Sequence, residues 1–243
     1  MKSFQTGFRR WLLASVAGSM LLATGCGRQT AQDPAAGASP PMVAAAPMDS
    51  PSAVLTASAE PFEALTEQAS TATWPEIDRL IADSRTAATK ARAALSDAGA
   101  VALDARTAEI ALARKSQDRL RLALASVETY RHLVEAQDPV AAKVPIPVSL
   151  LDYAGFRYDA LAQAPNVDWK AMDETARFAG DQWQALAPTM RSQALPGVMT
   201  ESIAAMSLAA KRRDATFARS AAATELALVD LLEEQAAAQR RPS

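Results

Sequence analysis

From Pro61 onward, apolar residues recur at intervals of three and four through four long stretches poor in Gly and Pro. That spacing gathers them on one face of a helix, whereas a strand would need alternation, and no stretch alternates. The first stretch carries Pro75 at a first-turn position and aligns Ile77, Leu80, Ile81, Ala88, Ala91 and Leu95 until Gly99, with residues 61–72 as its broken first half. The second runs from Val101 to Gln137 without an internal breaker, places Leu103, Ile110, Ala113, Leu120, Leu124, Val127 and Val134 on one stripe, and stops at Asp138-Pro139. A loop over 138–148 with Pro139, Pro145 and Pro147 follows. Ser149 to Asp152 then matches a capping box for a short helix to Gln163. Beyond Pro165, Asp168 caps a restart whose stripe is Trp169, Met172, Ala176, Ala179, Trp183 and Leu186, ending at Pro188. The last stretch opens at Pro196, is about 40 residues or roughly 60 Å long as one helix, and turns Met199, Ile203, Met206, Ala210, Phe217, Leu228 and Leu231 inward.

Four stretches of similar length bury each other's stripes most simply as an up-and-down four-helix bundle. The expected fold is therefore all-α, with the bundle over residues 61–240. A curved helical repeat would also be all helical, but no self-similar period supports it.

Upstream the composition changes. Residues 26–60 are Ala, Pro, Ser, Met and Thr with few charges, including Pro34, Pro40, Pro41, Pro47 and Pro51, the composition of a disordered tether. Residues 1–25 join a basic start, Lys2, Arg9 and Arg10, to an apolar run from Trp11 to Ala23 that is too short to span a bilayer. The only cysteine closes this run in Leu22-Ala23-Thr24-Gly25-Cys26. The segment resembles the lipobox signal peptides of bacterial lipoproteins. The resemblance implies that the Cys26 thiol is lipidated, that the chain is cut before Cys26 and that the new amino terminus is acylated, so that a covalent lipid on Cys26, with palmitate among the acyl groups, holds the chain to a lipid bilayer. Gly27 rather than Asp after the cysteine implies, by resemblance to Gram-negative lipoproteins, the outer membrane, with the domain in the periplasm or at the cell surface.

Removing the three basic residues of the signal segment takes the net charge from −2 to −5. No basic face with interleaved aromatics stands out, so no nucleic-acid partner is expected. With Cys26 modified, no thiol remains for a disulfide or a zinc-thiolate site, and packing alone must hold the exported domain together.

His132 is the single histidine. Glu128, His132 and Glu135 are spaced i, i+4, i+7 and share one helix edge on the flank of the apolar stripe. In a bundle, Asp152, Tyr153 and Tyr158 would lie at the same end. Imidazole with carboxylates suits iron, zinc or copper, and Tyr130 or Asp152 would complete a hard-oxygen shell. In this light His132-Leu133-Val134-Glu135 resembles the His-x-x-Glu element of imelysin-like periplasmic proteins associated with iron uptake, which implies a metal ion as cofactor. The alternative is a histidine stabilised by the helix dipole near the carboxyl end of its helix and paired with a neighbouring glutamate.

Two basic groups, Arg114, Lys115, Arg119 and Arg121 and then Lys211, Arg212 and Arg213, fall in the middles of long helices, with Arg213 close to a core stripe. They either pair with facing acids or line a groove for an anionic ligand, with Arg119 and Arg213 as its candidates. No Gly-x-Ser-x-Gly turn and no Gly-rich phosphate loop appears, and no carboxylate pair is singled out for catalysis. The sequence thus leads to the expectation of a membrane-anchored envelope lipoprotein with a non-enzymatic helical domain that binds a ligand or scaffolds an envelope protein partner. The alternatives are a periplasmic metal-binding protein and a cell-wall enzyme.

Overall fold

The computed structural model describes residues 50–190 and 194–239. The signal segment, Cys26 and the linker up to residue 49 lie outside the described residues. Among the described residues the fold is all-α: α1 (Pro51–Gln68), α2 (Trp74–Arg92), α3 (Asp97–Lys115), α4 (Arg119–Glu135), α5 (Ile146–Ala162), α6 (Trp169–Leu186), a short 3₁₀ turn (Ala187–Thr189), α7 (Ala194–Arg212) and α8 (Ala215–Gln239). None of these helices is long and apolar enough to cross a membrane.

The helices form an up-and-down four-helix bundle twice. In the first, α1 packs on α2 and α4 while α3 packs on α2 and α4; α5 to α8 close the same ring in the second, and α4 against α5 joins the two. The expected stretches are halved to make this possible. The uninterrupted helix expected from Val101 to Gln137 divides at Gln117, which takes the left-handed conformation with φ 54°. There the Asp118 amide donates to the Ala113 carbonyl at 3.0 Å and the Gln117 amide to Arg114 at 3.1 Å, the pair of bonds that satisfies the last carbonyls of a helix closed in the Schellman manner. Asp118 then starts α4 by accepting from the Arg121 amide at 2.9 Å. The last stretch divides identically at Arg213, also at φ 54°. Asp214 donates to Ala209 at 3.1 Å and Arg213 to Ala210 at 3.2 Å, and Asp214 caps α8 by accepting from Phe217 at 3.0 Å. Arg213 is consequently an exposed turn residue rather than a neighbour of the core stripe.

The two turns stand 96 positions apart, and the same offset relates Leu55 to Leu151, Phe62 to Tyr158, Leu65 to Leu161, Leu103 to Met199, Ile110 to Met206, Ala113 to Ala209 and Leu122 to Ala218, every one buried. Trp74 and Trp169, which open the second helix of each bundle, are offset by 95. A repeat is therefore present with a period of half the helical domain. Changed side-chain sizes at corresponding positions hide it in the sequence.

Three helix starts lie upstream of their expected positions. α1 begins at Pro51 inside the anticipated linker, with the Ser50 hydroxyl accepting from the Ala53 amide at 3.2 Å. Much of its buried stripe is small or polar, namely Ser52, Ser58, Ala59 and Thr66 beside Leu55, Phe62 and Leu65, which conceals its amphipathicity. α5 starts at Ile146 with Pro147 in its first turn, so Ser149 is interior to the helix rather than its cap. α7 begins at Ala194, two residues before Pro196. α6 agrees with its reading: Asp168 accepts from the Ala171 amide at 2.9 Å, and Met172, Ala176, Ala179, Trp183 and Leu186 are buried.

Candidate functional site

The α4–α5 seam is where the two bundles meet, and it collects most of the residues singled out above. Because α4 and α5 run antiparallel, the end of α4 meets the start of α5. Tyr130 is buried and its hydroxyl lies 3.3 Å from Asp152, which is 1% exposed. Burial holds the Tyr130 phenol well above its ordinary pKa, and the negative charges of Asp152, Glu63 and Glu233 push it further, so α1 and α8 both bring acid to this point. Two residues before Tyr130, Glu128 accepts from the Tyr153 hydroxyl at 2.8 Å and from Arg157 Nε at 3.0 Å. Burial and the neighbouring Glu128 raise the Tyr153 pKa to about 12. Arg157 also reaches the Thr175 hydroxyl on α6. Arg131 pairs with Glu135 at 2.7 Å and stands over the Phe178 and Tyr153 rings at 4.8 and 5.2 Å.

The expected metal set is thus distributed over separate partners. His132 Nε2 lies 2.9 Å from the Gly99 carbonyl, which fixes it as a donor to the start of α3. Glu135 holds Arg131, Glu128 holds Tyr153 and Arg157, and Tyr130 and Asp152 hold each other. Among the described residues no group of three or more His, Cys, Asp or Glu is arranged to hold a metal ion. Binding one here would require Glu128 and Glu135 to leave these arginines.

Arg119 has a specific task. Its two terminal nitrogens donate to the carbonyls of Ala69 at 2.6 Å and Ala72 at 2.9 Å, closing the carboxyl end of α1, while its plane lies 4.5 Å over the Trp74 ring. Arg114 stands over the same ring at 4.6 Å and pairs with Asp78 at 2.6 Å. The basic group read as a candidate anionic groove is in large part a clamp on the α1–α2 turn.

Toward the start of α4, the seam opens into a cavity of about 540 Å³ bounded by α1, α4, α5 and α8. α1 packs on α4 and α8 on α5, but α1 and α8 do not pack closely on one another, and the gap between them is this space. Leu120, Ala123, Phe156, Ala160, Pro165 and Leu226 supply its apolar walls, and Glu67, Asp118, Asp159 and Arg119 are its charged residues. Burial raises the Asp159 pKa, against the lowering effects of a Gln163 hydrogen bond at 2.5 Å and the charge of Arg219.

Behind the Leu226 wall lies Glu225, which sequence reasoning missed. It is 0% exposed and neither carboxyl oxygen has a hydrogen-bond partner, so burial drives its pKa far above the ordinary value. The space for it comes from Gly155 on α5, where a β-carbon would overlap Glu225 Oε2 and approach Leu226 Cδ2 within 2.6 Å. A signal was available for the cavity: Asp152, Phe156, Asp159 and Gln163 follow at i, i+4, i+7 and i+11, a mixed edge along an otherwise buried helix. Nothing comparable marks Glu225.

No protein-family model, no curated protein and no solved structure matches this chain.

Proposed function

We propose that this protein is a lipid-anchored binding protein of the bacterial envelope, non-enzymatic, which holds a small ligand between its two helical bundles. The observation that supports the reading is the interbundle cavity. Its volume of about 540 Å³ falls within the usual range for small-molecule sites, and its apolar walls carry a few charged groups at particular places, the composition such sites share.

The anchoring half of the proposal rests on Cys26 and the residues before it. Several acyl chains at one cysteine would make membrane attachment effectively permanent, with the domain exposed to the periplasm or the cell surface and an envelope protein within reach as a partner. Both halves are tested on the same material. Cells fed labelled palmitate should incorporate it into the wild-type chain and not into Cys26→Ala. Mass spectrometry of the chain purified from envelopes should find a retained small molecule that is lost when the cavity is filled by Ala123→Phe. An unlabelled wild-type chain would overturn the anchor, and a cavity that retains nothing would overturn the binding site.

A further inference from the structure

We infer that the interbundle cavity selects an amphipathic organic cation, an amine or quaternary ammonium carried on an apolar body. The inference rests on the reading of the cavity as a binding site and adds the class of its occupant. Charge is the first argument. Glu67, Asp118 and Asp159 are the acidic residues of its lining, and Arg119 is its one cationic lining residue; Asp118 also caps α4, and Asp159 also accepts a hydrogen bond from Gln163. The Arg119 nitrogens that donate to Ala69 and Ala72, and its face over Trp74, are turned to the end of α1. An entering anion would therefore meet three carboxylates and a guanidinium already committed elsewhere.

The walls supply the second argument. A bare metal ion or a small polyamine would gain nothing from Leu120, Ala123, Ala160 and Leu226, whereas an alkyl or aryl body would cover them. Phe156 adds an aromatic side chain, a favourable neighbour for an ammonium group. A neutral amphiphile would satisfy the walls and leave the carboxylates without a partner, so selectivity should follow charge at equal chain length.

Isothermal titration calorimetry tests this with the full chain carrying Cys26→Ser and three probes of one alkyl length, decyltrimethylammonium, decyl maltoside and decyl sulfate, each below its micelle concentration. The expected result is one saturable site per chain for the cation, binding at least roughly tenfold more tightly than the sulfate. Glu67→Gln and Asp159→Asn should each weaken the cation by up to about tenfold, less at high salt, and leave the maltoside unchanged. Ala123→Phe should remove binding of every probe; Glu67→Gln, at an exposed position, keeps the test valid if that variant fails to fold. Equal affinity for all three probes would overturn the cationic class and leave a binding cavity. Binding of none would overturn both. Cation binding that ignores all three substitutions would be attraction to an acidic surface and would overturn the assignment to this cavity.

Discussion

The two bundles repeat one backbone plan with different fillings. Where the first uses Ile77, Ile81, Ile110 and Leu122, the second has Met172, Ala176, Met206 and Ala218 at corresponding positions. The part of the second bundle nearest its left-handed turn is a separate apolar cluster in which Ala162, Ala176, Ala209, Ala210, Ala218, Ala221 and Ala222 surround Tyr158, Leu161, Met172 and Met206. Alanine buries little apolar area and methionine is flexible, so this core gains less per helix and defines side-chain positions less sharply than the branched core of the first. The helices of the second bundle also hold the orphaned polar atoms, Ser202 Oγ and both Glu225 oxygens, while the buried hydroxyls Thr66, Ser84, Ser126 and Thr129 of the first bundle donate to carbonyls. One fold plan thus carries a large branched core that runs through both bundles and a smaller alanine-rich core at the turn end of the second.

The strongest test of that contrast is Leu122→Ala, which removes a fully buried side chain from the branched core and should cost about 3 kcal/mol in chemical denaturation. Met206→Ala, the same kind of truncation at a fully buried position of the other bundle, should cost about 2 kcal/mol, because the alanine-rich surroundings can relax around the loss. Equal losses would show that the two cores are equally specified.

Glu225→Gln is a test through pH. The folded pKa of Glu225 lies far above the unfolded value of about 4.3, so its favourable contribution is complete below that value and is lost as pH rises toward the folded pKa. Melting measured across pH should therefore find Glu225→Gln more stable than wild type at pH 8, with the gap closing below about pH 4. A gap that does not vary with pH would mean that folding does not shift the Glu225 pKa.

Smaller effects come from matching positions. Asp118→Ala and Asp214→Ala each remove a helix cap and should cost about 1 kcal/mol. His132→Ala should cost about 1 kcal/mol through its bond to Gly99 and leave metal content unchanged; loss of one equivalent of metal would instead favour the metal-binding alternative. The smallest change expected is a gain of up to about 1 kcal/mol from Gln117→Gly or Arg213→Gly, read as a raised melting temperature, since both residues occupy backbone space that glycine enters freely.

Helical class, the α6 stripe, the Asp168 cap and Pro75 as a helix opener were legible because each is local: a period, a cap or a fixed φ decides it. The division at Gln117 and Arg213 was not. The usual mark of such a turn is glycine, and here a glutamine and an arginine bear the strain while the following aspartate recovers part of it. α1 was obscured because serine and alanine carry much of its buried face, where Ser52 Oγ accepts from the Asp138 amide at 2.9 Å. At the site, the sequence placed His132, Glu128 and Tyr130 on one stretch of helix, and the structure finds them there. Their partners come from α3 and α5, and the cavity from four helices, so neither was accessible to a reading that sees one helix at a time.

The two left-handed turns also set the order in which the chain can assemble. Because each ring closes within its own contiguous segment, α1 meeting α4 and α5 meeting α8, each bundle can form from about half of the helical domain. The first bundle can be complete once the chain to Glu135 has emerged, before any of α5 exists. The interbundle cavity has walls from both rings and is the last feature to form, so occupancy of the cavity would report that the whole domain has been made and folded.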